Sequence, residues 1–209
     1  MIKTKGEFNM LIQFNFKNYK SFREETVLDL SATKMTEFSD RVVNISSEKV
    51  LPIALIYGAN ASGKSNIYDA FRCMGNYVLK SFNFGDDEDV FKKSKPVPFL
   101  FDEQTARSET TFEIYFTMPS DNKEKTYNYG FSVGVNGVTE EWFNYKAKTG
   151  TVYRPIFNRF EEKLELQGIP EDSRKNIEVA LEKQVLIASL GAKLKIEICK
   201  IIREWFLLN

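Results

Sequence analysis

Eight residues, Gly58-Ala59-Asn60-Ala61-Ser62-Gly63-Lys64-Ser65, match the pattern G-x-x-x-x-G-K-[ST] at every fixed position. Such a glycine loop works only as the turn between a strand and a helix, so it constrains the fold on both sides. Upstream lies the apolar run Leu51-Pro52-Ile53-Ala54-Leu55-Ile56-Tyr57. It is short enough for a buried parallel strand, and its proline stands near the start, where a strand tolerates one. Downstream, Ile67, Ala70, Phe71, Met74 and Val78 recur at helical spacing. That stripe predicts a helix laid against a sheet, with Asp69, Arg72 and Asn76 outside.

The chemistry follows from the order of the parts. Gly58 and Gly63 allow a tight turn that brings backbone N–H groups toward phosphate oxygens. The helix start adds partial positive charge. Lys64 is placed to reach β- and γ-phosphates as a point charge, and the Ser65 hydroxyl to ligate Mg²⁺. The expected ligand is a nucleoside triphosphate, cradled by residues 58–65. Asn122-Lys123-Glu124-Lys125 fails the guanine-reading pattern Asn-Lys-x-Asp at its last position, which leaves adenine as the default base and ATP as the expected cofactor.

Composition narrows the rest. The chain has 209 residues, 43% of them hydrophobic, enough to bury a core in one domain or one and a half. Lys plus Arg and Asp plus Glu both number 29, so no global basic field recruits DNA and only a local patch could. The absence of histidine excludes Ser-His-Asp triads and imidazole-ligated zinc. Cys73 and Cys199 stand in unrelated contexts and read as reduced core thiols. No apolar stretch is long enough to span a bilayer, and the chain reads as cytoplasmic, without a membrane partner.

Along the chain, Met10 to Phe16 alternates with Ile12, Phe14 and Phe16 on one face, and Glu25 to Leu30 is a second strand candidate. Between them, Lys17-Asn18-Tyr19-Lys20-Ser21-Phe22-Arg23 is a basic, aromatic turn, either functional or simply a solvated hairpin. The acidic run Asp86-Asp87-Glu88-Asp89, followed by Lys92, Lys93 and Lys95, reads as an exposed loop. From Thr111 the period becomes two: Phe112, Ile114 and Phe116 share a face, as do Tyr127, Tyr129, Phe131 and Val133. With a type I′ hairpin signal at Asn136-Gly137 and further strands to about residue 159, this is an antiparallel meander. Its aromatics suit packing, with base stacking as the alternative. Residues 171–206 read as helices, one starting at Glu171-Asp172-Ser173 and another carrying Leu194, Ile198, Ile201, Ile202 and Trp205.

A phosphate-loop ATPase also needs an apolar strand ending in Asp-Glu, whose carboxylates support Mg²⁺ and the attacking water. Val97-Pro98-Phe99-Leu100-Phe101-Asp102-Glu103 imitates that element. Pro96 and Pro98 cannot donate ladder hydrogen bonds in a central strand, so a turn is the better reading, and Asp102 and Glu103 are only reserve candidates for catalysis.

The segments Met10-Leu11-Ile12-Gln13-Phe14-Asn15-Phe16-Lys17-Asn18-Tyr19-Lys20-Ser21-Phe22 and Ile56-Tyr57-Gly58-Ala59-Asn60-Ala61-Ser62-Gly63-Lys64-Ser65-Asn66 resemble the ABC-type AAA ATPases of the RecF and SMC kind, especially the abortive-infection ATPases of phage defence. Tyr129-Gly130-Phe131 and Glu141-Trp142 are weaker echoes. The resemblance implies an α/β phosphate-loop NTPase fold, specifically the ABC/SMC-like N-terminal lobe with an antiparallel β-meander and C-terminal helices. Residues 1–9 then read as an N-terminal extension and 10–209 as the lobe, whose strands, phosphate loop and first helix occupy 10–80 and whose meander occupies 111–159. It implies ATP and Mg²⁺ held by Gly58, Ala59, Asn60, Ala61, Ser62, Gly63, Lys64, Ser65 and Asn66, with Lys20 and Arg23 as adenosine-side or phosphate contacts.

In that family a C-terminal lobe supplies the signature segment, the Asp-Glu strand and a switch residue, and this sequence ends before all three. The resemblance therefore implies an ATP-gated switch, completed by a C-terminal half and a second copy, that signals a nuclease, toxin or DNA-bound partner. Two alternatives stand beside it. One is a self-contained small NTPase or phosphotransferase using Asp102 and Glu103. The other is a non-catalytic fragment of a disrupted ATPase gene.

Overall fold

The computed structural model describes residues 9–32, 39–84, 88–118 and 125–209. Alternating apolar residues generate β1 (Met10–Lys17), and a tight turn returns the chain as β2 (Thr26–Asp29). A short hairpin, β3 (Val43–Ile45) and β4 (Glu48–Val50), precedes the glycine loop. The long helix α1 (Lys64–Lys80) follows that loop, then α2 (Glu88–Ser94) and the single turn α3 (Glu103–Ala106). The meander consists of β5 (Thr110–Thr117), β6 (Lys125–Gly134), β7 (Gly137–Ala147), β8 (Arg154–Phe160) and β9 (Lys163–Glu165). Helices α4 (Glu171–Ala180), α5 (Ile187–Lys193) and α6 (Glu197–Leu208) end the chain. The β1–β2 pair joins the meander in one seven-stranded sheet ordered β2-β1-β5-β6-β7-β8-β9, antiparallel at every described pairing.

Helices α1, α5 and α6 cover one face of this sheet through a largely aromatic core. Phe14, Phe16, Phe112, Phe116, Tyr127, Tyr129, Phe131, Phe143 and Phe157 are buried with Ala70, Met74 and Val78 of α1. The helical stripe of α1 thus faces the sheet as its spacing predicts, and Tyr77 joins it, its ring 5.3 Å from that of Phe131. Trp205 of α6 packs at 5.1 Å on Phe116. The alternating aromatics of the meander are therefore core, since none of Phe112, Phe116, Tyr127, Tyr129 or Phe131 is exposed enough to stack on a ligand.

Five local expectations need correction. Ile12 leaves the face of Phe14 and Phe16 and joins Ile45 and Val50 in a second cluster under the β3–β4 hairpin. The cause is a register shift between Leu11 and Gln13 against β5, which reverses the side-chain alternation and turns Leu11 toward the main core. The β6–β7 turn places Val135 and Asn136 in the loop, with positive φ at Gly137 and not at Asn136. It is not type I′, and a shift at Ser132/Val133 supplies the twist instead. The acidic run is partly helical, since Glu88-Asp89 opens α2, whereas Asp86 and Asp87 lie outside the described residues, as do residues 1–8 of the expected extension and Asn122-Lys123-Glu124 of the tested guanine pattern. Leu194 does not belong to the stripe of α6 but precedes that helix, at the C-terminal end of α5.

The fifth concerns the segment before the glycine loop. Residues 51–57 form no strand, and Ile53, Leu55 and Tyr57 are 73%, 86% and 92% exposed. Leu51 N–H still donates to Leu30 O at 2.7 Å. Beyond that bond no described strand pairs with the segment, because the strands of the large sheet pair with antiparallel neighbours and the described residues offer no parallel partner. The apolar character suits a strand covered on both faces, but nothing in the described chain covers it.

Gly130 shows how closely the meander packs. A Cβ there would lie 2.2 Å from the Trp142 ring and 2.8 Å from the Phe112 carbonyl oxygen, and the Trp142 indole is itself held by its N–H donating to Glu113 at 3.1 Å. We expect Gly130→Ala to lower the unfolding free energy by about 1–3 kcal/mol, because a backbone oxygen cannot retreat like a side-chain tip. An unchanged denaturant midpoint would show that the strands move apart more readily than this geometry implies.

Candidate phosphate-loop site

The loop between residue 58 and α1 is shaped by left-handed backbone. Gly63 has φ +92°, and a Cβ there would sit 3.0 Å from Ser21 Oγ and 3.2 Å from the Phe22 ring. Conformation and space therefore both require glycine. Ala61 also adopts positive φ, +63°, at a cost of roughly 1–2 kcal/mol for a residue bearing a Cβ. Gly63 is the N-cap of α1 but has no side chain to cap with, and the first turn carries no acidic residue. A 17-residue helix thus presents first-turn N–H groups and the positive end of its dipole to the loop.

Lys64 folds back into the loop, where its ammonium donates to Gly58 O at 2.9 Å and Ala59 O at 2.6 Å. Ser65 is exposed beside it. Asn66, one residue on, donates from its side-chain amide to Ser21 Oγ at 2.8 Å. This donor set fits an anionic, phosphate-bearing ligand: a helix start without a competing carboxylate, an ammonium held by loop carbonyls, and an exposed hydroxyl able to meet a cation. Among the described residues no cluster of three or more His, Cys, Asp or Glu could hold a metal ion. Any Mg²⁺ here would therefore rest on Ser65 and on the phosphates it accompanies.

The basic, aromatic turn between β1 and β2 lies directly against this loop. Lys20 forms an ion pair with Asp69 of α1, and Arg72 donates to the same carboxylate at 2.6 Å. The hydrogen bond from Lys20, with that from Arg72 behind it, holds the Asp69 carboxyl below the usual carboxylate range. Lys20 is thus engaged by the helix rather than aimed into the cradle. Arg23 approaches Glu24 at 3.4 Å and lines a polar cavity of about 570 Å³ with Lys17, Asn18, Gln104 and Arg107.

Asp102 and Glu103 do not end a strand. Asp102 caps α3, accepting from Thr105 N at 2.8 Å and from the Thr105 hydroxyl, bonds that pull its carboxyl downward. Glu103 pairs with Arg107 at 2.6 Å. The structure therefore gives both carboxylates capping and surface roles, while Ser21, Phe22 and Asp69, which motif reading did not assign to the site, stand at its edge. The signal for Ser21 and Phe22 was their place in the singled-out turn; their contact with Gly63 depends on tertiary packing.

No helix among the described residues is long and apolar enough to cross a membrane. No curated protein matches the chain. Residues 53–181, more than half of the chain and beginning just before the glycine loop, match the family described as "AAA domain, putative AbiEii toxin, Type IV TA system", and with its α/β architecture, its mostly antiparallel sheet and this loop, the chain belongs to that AAA domain family.

Proposed function

We propose that this chain binds Mg-ATP at residues 58–66 and serves as the N-terminal lobe of an ABC-type, RecF/SMC-like ATPase acting as an ATP-gated switch in abortive infection. The observation that carries the reading is the uncapped start of α1 behind a left-handed glycine turn, with Lys64 bonded only to loop carbonyls. In this assignment the N–H groups of the first turn and the Lys64 ammonium hold the phosphates, and Ser65 holds the metal. Mg²⁺, when bound, supplies charge neutralisation at the phosphate oxygens.

The lobe assignment draws on the unpaired segment before the loop. Ile53, Leu55 and Tyr57 belong to an apolar stretch suited to a strand buried on both faces, yet they lie in solvent. A second polypeptide segment that adds strands there would cover them and bring the carboxylates that Asp102 and Glu103, engaged in α3, do not offer. Residues 10–209 are then one lobe, closed onto a second copy through ATP, and the effector is a toxin or nuclease. AAA-domain membership supports ATP binding, and the description of the matched family supports a toxin–antitoxin or abortive-infection role.

The test is calorimetric titration of the purified chain with Mg-ATP, followed by phosphate release on the same sample. Binding without turnover is the expected result. Absence of binding would sink the reading, and turnover that disappears in Asp102→Asn or Glu103→Gln would replace it with a self-contained NTPase.

A further inference from the structure

Ser21 of the β1–β2 turn touches the glycine loop itself. Its hydroxyl accepts from Asn66 at 2.8 Å and borders Gly63 at 3.0 Å from the position of a Cβ. The turn that carries it has little freedom. Tyr19 and Phe22 exchange both backbone hydrogen bonds, at 2.8 and 2.9 Å, around Lys20 and Ser21, and Lys20 takes φ +49°. Lys20 N–H donates to Val97 O at 2.9 Å, while its side chain pairs with Asp69 on α1.

At the base of the turn, buried Asn18 donates to the carbonyls of Thr105, Ser108 and Glu109 at 2.8, 3.1 and 3.1 Å and accepts from Phe99 N–H at 2.9 Å. The large sheet therefore delivers Ser21 to the loop on a braced support. Ser21 is exposed, so burial does not explain why its hydroxyl stands there. Accepting from the Asn66 amide fixes that amide and leaves the Ser21 O–H proton free for another acceptor.

We propose that Ser21 is a positioning residue of the phosphate site. It orients Asn66 in the first turn of α1 and braces Gly63, so that the cradle is formed before a triphosphate arrives. This rests on the reading that residues 58–66 bind Mg-ATP. Pre-ordering a first-turn amide removes part of the ordering that the ligand must otherwise impose, so its loss is felt in affinity. The hydrogen bond lies at the surface, so its loss is felt little in stability.

The experiment is Mg-ATP titration and thermal melting of the full chain and of Ser21→Ala, Ser21→Thr, Asn66→Ala and the Ser21→Ala/Asn66→Ala double variant. Ser21→Ala and Asn66→Ala should each weaken binding by roughly 3- to 10-fold, the size of one hydrogen bond. The double variant should bind no more weakly than the weaker single variant, because both remove the same contact. Ser21→Thr, which keeps the hydroxyl, should recover most of the affinity, and all four midpoints should stay near the parent's. Parental affinity in Ser21→Ala, losses that multiply in the double variant, or a loss that tracks a lowered midpoint and is not recovered by threonine would each overturn the role. If the parent binds and Lys64→Ala does not, such results overturn Ser21 alone. If the parent itself does not bind, the nucleotide reading falls and the Ser21 role with it.

Discussion

Replacing Lys64 with alanine is expected to weaken Mg-ATP binding by about a hundredfold while leaving the fold intact. The ammonium donates only to Gly58 O and Ala59 O, both in the exposed loop, and reaches no core residue. When a triphosphate enters, those two neutral acceptors are exchanged for phosphate oxygens, and charge-assisted bonds are worth about twice neutral ones. Losing them costs about 2–3 kcal/mol of binding free energy. Removing the side chain from the empty loop frees two carbonyls to water, with an effect on stability of about 0.5 kcal/mol or less. Titration and a denaturant melt on one preparation separate the two quantities. Equal affinity in variant and parent would remove Lys64 from the site, and a large fall in midpoint would make it structural.

The largest stability effect should come from Glu141, far along the chain from the loop. Its side chain is fully buried and accepts from Ile187 N–H at 2.6 Å, Ala188 N–H at 3.0 Å and the Tyr129 hydroxyl at 3.0 Å. One carboxylate thus caps the start of α5 from within β7 and joins the helical layer to the sheet. Glu141→Ala strands three donors beside the positive charge of Arg159, also buried, and should cost about 3–5 kcal/mol.

Burial pushes the Glu141 carboxyl up to about 7, against the opposing pull of the Ala188 and Ile187 N–H groups, of Arg159 and of Tyr129. An acid whose pKa is higher in the folded state binds its proton more tightly there. Its contribution is fully present below about 4.5 and is lost as pH rises toward and past 7. Between pH 5 and 8 the parent should therefore lose roughly 2–3 kcal/mol of stability relative to Glu141→Gln, which cannot ionise. Parallel stability–pH curves for the two proteins would show that the carboxylate stays ionised throughout.

Where a pattern fits within one element, sequence and structure agree. The stripe from Ile67 to Val78 places α1 on the sheet because helical geometry brings those residues to one side whatever they meet. The aromatic alternation of Phe112, Ile114 and Phe116 marks a buried strand face for the same reason. Disagreement arises where the outcome depends on a partner. Ile12 obeys the period-two rule until the shift between Leu11 and Gln13 against β5 reverses it, and no residue in β1 alone announces that shift. Residues 51–57 have the composition of a central strand, but composition does not supply a neighbour to pair with.

The sequence by itself determined the glycine loop, the helix behind it and the order of the meander, because each is written in spacings of a few residues and follows from backbone geometry. Tertiary structure decided which distant groups meet: beside that loop Ser21 against Asn66 across 45 positions and Lys20 against Asp69 across 49, and away from it Glu141 beneath α5 across 46 and 47. Those meetings depend on how the aromatic core stacks sheet against helix, a balance of packing and hydrogen-bond satisfaction that no local spacing encodes.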